Sequence, residues 1–369
     1  MSDAPRPSIT RALRDPPALA SCNLRQWEAL VLEARRTNLL SRLAHVIAER
    51  GLLDRVPPAP RAHLVAAQAL AEAQSDAMRR EVTYIRKALA NVGIDIVLLK
   101  GAAYLMAGLP AARGRLFTDV DILVPFERLP EVEAALMLHG WFATHHSAYD
   151  QRYYREWMHE LPPLRHAVRT TVIDVHHAIL PRTARLKPAS AKLLAASRPI
   201  PGEDRLRVLS PADLVLHSAT HLFLNEELSQ GLRDLADLDS LLRHFGDDPG
   251  FWNELPQRAV ELDLARPLHY GVRHAARLFG TPVPGAARSN IECLAPPPWL
   301  DGIMGALYER ALQPVAPGEP GPLTPLARQA LFMRAHWLRM PPMLLMRHLV
   351  SKILRVDHDR DHSRASPDI

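Results

Sequence analysis

Only two cysteines occur in the 369 residues, Cys22 and Cys293, and they lie far apart in sequence. They form no disulfide framework and no Cys-based zinc motif, which makes a reducing cytoplasm the expected setting. Lysine is almost as scarce: five of the 45 basic residues, at positions 87, 100, 187, 192 and 352, the remainder being arginine. Basic residues outnumber acidic ones by only 45 to 40, a formal charge of +5, so the composition gives no strong nucleic-acid signal. No stretch of about 18 apolar residues occurs, and the N-terminus lacks the apolar core of a signal peptide; the expectation is a chain without a transmembrane segment that is not exported. No fixed-period repeat is present.

What is present is ordinary globular composition, 47% hydrophobic and 23% charged, enough for two or three packed units. Residues 1–20, rich in Pro and Arg, are expected to be a flexible arm. Residues 21–93 read as a helical region. Trp27, Leu30, Val31 and Ala34, then Leu40, Leu43 and Ile47, recur at helical spacing, and a long helix is expected from Ala62 to Val92. Residues 94–185 change to an α/β pattern. Strands are expected at Ile94–Leu99, around Asp119, at Trp141–His146, at Gln151–Trp157 and at Val168–Ile179. Residues 186–280 return to helical periodicity, opened by the capping run Ser210-Pro211-Ala212-Asp213. The Pro-rich 281–325 stretch reads as a connector with short helices at most. Residues 326–356 read as basic amphipathic helices, broken at Pro341-Pro342. This face would pack on the protein body or meet a membrane surface or a partner. Residues 357–369 are expected to be a disordered tail.

The chemistry is concentrated in one alternating stretch. Phe117, Asp119, Asp121 and Leu123 share one strand face, while Val120, Ile122 and Val124 share the opposite, β-branched one. Two acids side by side repel each other, and a bound cation is what would relieve them. In the last predicted strand Val172, Asp174 and His176 share a face, so Asp174 would complete a carboxylate trio if the two strands are neighbours. Such a trio suits Mg²⁺ or Mn²⁺ and phosphate oxygens. Upstream, Lys100-Gly101 sits between a short apolar strand and a helix, where a glycine lets phosphate approach backbone N–H groups. Lys100 and Arg115 would then meet a triphosphate.

Strand, Gly turn, helix, Asp-x-Asp strand and a later strand with one Asp resemble the DNA polymerase β-like nucleotidyltransferase superfamily. The wording LLKGAA, Arg115 before TDVDILV, then IDVHHAIL, LSPADLVLHSATHLF and GLRDLADLDSLL resembles the family of uncharacterised bacterial nucleotidyltransferases within it, over roughly residues 25 to 245. The resemblance implies an α+β protein with a mixed-sheet nucleotidyltransferase core flanked by N- and C-terminal helical regions. It also implies metal-dependent transfer of a nucleotidyl group from an NTP to an acceptor hydroxyl. Asp119 and Asp121 would bind the metals, Asp174 would complete the set and help deprotonate the acceptor, and Lys100, Gly101 and Ala102 would face the phosphates. The superfamily's turn carries Gly or Ser after its glycine; Ala102 has no hydroxyl to donate. That departure is what a catalytically degenerate nucleotide-binding or interaction module would show. A third alternative is a His/Asp metal-dependent hydrolase on His176, His217 and His221. His176, His221 and Arg233 are the candidates for lining the cleft, and Arg233 is also expected to pair with Asp237 one helical turn on.

Overall fold

The computed structural model describes residues 8–144, 151–224, 228–313 and 323–341. The chain begins with α1 (Ile9–Arg14), capped by the Ser8 side chain, and a 3₁₀ segment at Pro16–Ser21. The flexible arm expected over residues 1–20 is therefore, from Ser8 onward, a docked element, because Ile9, Ala12 and Leu19 find apolar partners and are buried. Two helices follow, α2 (Leu24–Arg36) and α3 (Leu40–Glu49). In α2, Asn23 and Gln26 exchange side-chain and backbone hydrogen bonds in a capping box. The 31-residue α4 spans Pro58–Ala88; it starts earlier than periodicity suggests because Pro58 takes the first helical turn, where no N–H is needed.

The α/β region runs β1 (Ile96–Leu98), α5 (Lys100–Met106), β2 (Asp119–Leu123), α6 (Leu129–Leu138), β3 (Trp141–Ala143), β4 (Leu164–His166) and β5 (Val172–His176). The expected strand at Gln151–Trp157 is instead helical over Tyr153–Trp157. Tyr153 packs edge-on against Trp157, four residues on, and Arg152 bridges to Glu156 at the same spacing, contacts that a strand would separate. The strand expected over Val168–Ile179 is shortened at its start by a turn with Thr170 at φ 59°, which joins β4 to β5. After α7 (Ser190–Ala196) come two short strands, β6 (Arg198–Pro199) and β7 (Leu206–Val208), which periodicity does not reveal.

The strands form one seven-stranded mixed sheet in the order β3-β4-β5-β2-β1-β7-β6. β2 lies parallel to β5 and antiparallel to β1, while β1 lies parallel to β7. The fold is thus an α-rich mixed-sheet protein, compatible with the α+β class expected.

The remaining helices are α8 (Pro211–Leu224), α9 (Gly231–Phe245), α10 (Pro249–Glu261), α11 (Ala265–Phe279), α12 (Gly285–Glu292), α13 (Pro298–Leu312) and α14 (Thr324–Arg339). Within the expected connector 281–325, α13 is a full helix that buries Met304, Tyr308 and Leu312. Its prolines stand at the helix start, where they favour helix instead of breaking it. α14 buries Ala327, Leu331 and Ala335 and ends before Pro341, as the proline pair requires. The rest of the 326–356 segment, from residue 342, and the 357–369 tail lie outside the described residues.

Candidate functional site

The register of β2 on β5 sets the site. Asp121 is directly opposite Asp174, Asp119 opposite Val172 and Leu123 opposite His176. Because side chains alternate, Asp119, Asp121, Asp174 and His176 all emerge on one face of the sheet, while Val120, Ile122, Ile173 and Val175 enter the core on the other. The face predicted from alternation in two separate stretches is therefore continuous across the strand pair.

Asp121 is the most constrained member, with its residue only 2% exposed. Its Oδ1 accepts from Lys100 Nζ at 2.7 Å and from His176 Nε2 at 2.9 Å. Burial alone would raise its pKa, but the Lys100 ammonium and His176 hold the carboxyl well below the usual range. Burial pushes down on the Lys100 ammonium in turn, and Asp121 outweighs it, so Lys100 stays protonated to unusually high pH. Lys100 reaches Asp121 from a backbone at φ 45°, the left-handed region that non-glycine residues seldom occupy.

Asp174 is the opposite case. Its Oδ1 is buried without a hydrogen-bond partner, and burial together with Asp121 and Glu160 pushes its pKa up to about 7. An orphaned carboxylate oxygen beside further acids marks uncompensated negative charge, which a divalent cation would neutralise. Asp119, at the mouth of the strand pair, accepts from the Thr118 hydroxyl at 2.9 Å. The three aspartates thus fit a hard cation, Mg²⁺ or Mn²⁺, by donor type, and Asp174 also by unmet charge. Their carboxylates share a face without drawing into one tight ligand set. Among the described residues, the group whose ligand atoms do lie together, within 4.8 Å of one another, is His159, Glu160 and His176.

The Lys100-Gly101-Ala102 segment opens α5 directly after β1. A Cβ on Gly101 would stand 2.3 Å from Arg115 Nη1 and 3.0 Å from the Phe117 ring, so the space beside this glycine is filled by the Arg115 guanidinium. Ala102 is buried. Arg115 is itself held, donating from Nε to Asp237 Oδ2 at 2.8 Å, and the same carboxylate accepts from Arg42 Nη2 at 2.5 Å. Arg42 also donates to Ala111 O, Ala236 O and Ser240 Oγ. Asp237 is therefore the hub of a buried pair of arginines and not the partner of Arg233. Arg233 turns instead to Asp234, at 2.7 and 2.9 Å.

Helix α8 carries His217 and His221. Burial, then the nearby Lys100 ammonium, holds both His217 and His221 well below the ordinary histidine pKa, and Asp121 acts on each in the opposite direction. Both rings thus lie within electrostatic reach of the acid strands. His221 Nδ1 is 3.7 Å from Asp234 Oδ2. Neither histidine joins a ligand set with His176 among the described residues.

Three participants escape the sequence pattern. His159 and Glu160 follow the helical turn at Tyr153–Trp157, and a β-bridge between Glu160 and His176 lays them along the end of β5. No period marks them; the adjacent His-Glu pair before Pro162-Pro163 was the only signal. Asp237, the third, carries no local sign of partners 195 and 122 residues upstream.

The structure thus gathers carboxylates on two adjacent strands of a mixed sheet, beside a strand-to-helix Lys-Gly junction. Residues 23–280 match the family model described as Uncharacterised nucleotidyltransferase, and the chain belongs to that family. Comparisons with curated proteins and with solved structures found no match. No helix among the described residues is long and apolar enough to cross a membrane.

Proposed function

We propose that the protein is a divalent-metal-dependent nucleotidyltransferase of the DNA polymerase β-like superfamily, moving a nucleotidyl group from an NTP to an acceptor hydroxyl with release of pyrophosphate. The observation that carries the proposal is the parallel register of β2 and β5, which sets Asp121 against Asp174 and leaves a buried Asp174 oxygen unpartnered, in a chain of a nucleotidyltransferase family. Asp119, Asp121 and Asp174 would hold Mg²⁺ or Mn²⁺. When bound, such an ion supplies charge neutralisation for triphosphate oxygens and lowers the cost of a developing alkoxide.

The chain's own residues do the rest. Asp174 completes the ligand set and helps take the acceptor hydroxyl's proton. Lys100, protonated throughout, orients Asp121 and offers its remaining donors to phosphate. His176 pins Asp121 from the other side. Arg115 backs Gly101, and His221 with Arg233 lines the acceptor side of the cleft. The two free cysteines fit a cytoplasmic setting.

Ala102 and the filled space beside Gly101 favour one second reading, a nucleotide-binding module without chemistry. Incubation with each α-labelled NTP, Mg²⁺ or Mn²⁺ and a cell extract separates the two. Label transfer by wild type and its loss in Asp119→Ala and Asp121→Ala are expected. Transfer persisting in both variants sinks the site, and tight Mg-NTP binding with no transfer under any condition favours the binder.

A further inference from the structure

We infer a second metal site, beside the aspartate trio and joined to it through His176, in which His159, Glu160 and His176 bind a borderline transition ion, best suited to Zn²⁺. The inference is independent of the nucleotidyl-transfer reading, since it rests on a different donor set and is tested without nucleotide.

The geometry is that of a partly assembled three-ligand site. Glu160 Oε2 lies 3.3 Å from His176 Nδ1 and 3.9 Å from His159 Nε2. Ligands on a tetrahedral zinc ion with bonds near 2.0–2.1 Å sit about 3.3 Å apart, so only small side-chain shifts are needed to close the set. The backbone is already fixed for it. His177 N and Ala178 N both donate to His159 O, and Leu161 N donates to Val175 O, which clamps residues 159–161 along the end of β5. The two imidazoles face each other with centroids 5.2 Å apart.

Protonation logic points the same way. Asp121 is ionised and can only accept, so His176 must carry its hydrogen on Nε2 to make the 2.9 Å bond. Its Nδ1 is buried, lies 3.3 Å from Glu160 Oε2 and has no hydrogen-bond partner, and a bound cation would displace any proton held there. His176 is 3% exposed, so water does not satisfy that nitrogen from outside. His159 Nδ1 is likewise buried without a partner. Two imidazoles and a carboxylate form a donor set for a cation of intermediate softness more than for Mg²⁺. Two imidazoles and one carboxylate also leave a fourth position open to water or an incoming oxygen. The carboxylate of Asp121 on the far nitrogen of His176 is the outer-shell partner that zinc-bound histidines commonly have; it fixes the tautomer and raises the ligand's basicity. Zinc at this site would therefore position Asp121 through His176.

The test uses the full chain, stripped with chelator and titrated with Zn²⁺ alone, with Co²⁺ as the spectroscopic probe. Wild type is expected to bind one equivalent of Zn²⁺ and to show visible d–d bands of low-coordinate, imidazole-ligated Co²⁺. Removing an outer-shell partner already costs 10–100-fold in affinity, so His159→Ala and Glu160→Gln should each lose about 100-fold or more, while Asp119→Ala should change it by roughly twofold at most. If His159→Ala fails to fold, Glu160→Gln and the wild-type Co²⁺ spectrum carry the decision. Unchanged affinity in Glu160→Gln, an equal loss in Asp119→Ala, a spectrum of hexaaquo-like Co²⁺, or no Zn²⁺ binding at all would each overturn the site.

Discussion

Replacing Asp237 by Asn should cost roughly 3–5 kcal/mol of folding stability, the range for breaking a buried ion pair from one side. Asp237 holds Arg42 at 2.5 Å and Arg115 at 2.8 Å, and the three side chains are only 4–10% exposed. With charge centres about 4 Å apart, a unit charge pair is worth about 4 kcal/mol at an effective dielectric of 20, before desolvation is subtracted. Asparagine keeps the shape and one acceptor but leaves two guanidinium groups buried with no counter-charge between them. Arg42 retains its bonds to Ala111 O, Ala236 O and Ser240 Oγ, which is why the expected loss stops short of both pairs in full. Urea unfolding followed by tryptophan fluorescence reads the effect as a lower midpoint with an unchanged slope. The exposed control Glu131→Gln, which loses its contacts to Arg128, should leave the midpoint in place. A triple replacement of Asp237, Arg42 and Arg115 by apolar residues of similar volume should recover much of the loss. A loss below about 1 kcal/mol for Asp237→Asn would refute the idea that this carboxylate is the counter-ion of both arginines.

Three other outcomes follow from particular contacts. Gly101→Ala puts a methyl 2.3 Å from Arg115 Nη1 and should destabilise by about 1–3 kcal/mol. In the Asp237→Asn background, where Arg115 is already released, most of that cost should vanish in a double-mutant cycle. Gly114→Ala should be worse tolerated than a typical surface change, losing more than about 1 kcal/mol: φ is +63° and the new Cβ would lie 2.6 Å from the Ser41 carbonyl oxygen. His274 is fully buried between Phe223 and Tyr308 with neither nitrogen hydrogen-bonded, and burial pushes its pKa down to about 3. Between pH 6.5 and about 3 the unfolded chain takes a proton on this residue that the native state refuses. Stability is thus complete above the unfolded value and falls with pH at up to about 1.4 kcal/mol per unit, or about 2 kcal/mol by pH 5. His274→Phe should flatten that slope in denaturant midpoints measured from pH 8 to pH 5. An identical slope in the variant would show that other groups, such as His217 and His221, carry the whole acid dependence.

The acid face was legible because a period of two is a strict constraint. Once Val120 and Ile122, and separately Ile173 and Val175, are given to the core, Asp119, Asp121 and Asp174 have nowhere else to point, and only the neighbourhood of the two strands had to be supplied by the fold. Glu160 and His159 were not legible because the helical turn before them contains Tyr153, Tyr154 and Trp157, residues equally common in strands, and because their placement comes from a single bridge to β5. Arg233 and Asp237 illustrate the limit of local spacing. Four residues apart on a helix is a fair guess for a pair, but Asp237 faces inward, where two distant arginines offer close partners that solvent and salt screen less. Proline misled in one direction only: at Pro58 and Pro298 it opens helices, and composition alone cannot distinguish an opening from a break.

The position of β1 also has a consequence for the order of events during synthesis. It pairs on one side with β2, which follows it closely, and on the other with β7, where Ile96 meets Leu206 and Leu98 meets Val208. The centre of the sheet is therefore left with an open flank until more than half of the chain has left the ribosome, while the helices from α1 to α4 are already made and have apolar faces to cover. Pairings this distant in sequence form late and slowly, and an exposed strand edge in the interim is an invitation to association. Nascent chains halted before residue 206 should therefore be the ones that depend most on chaperones.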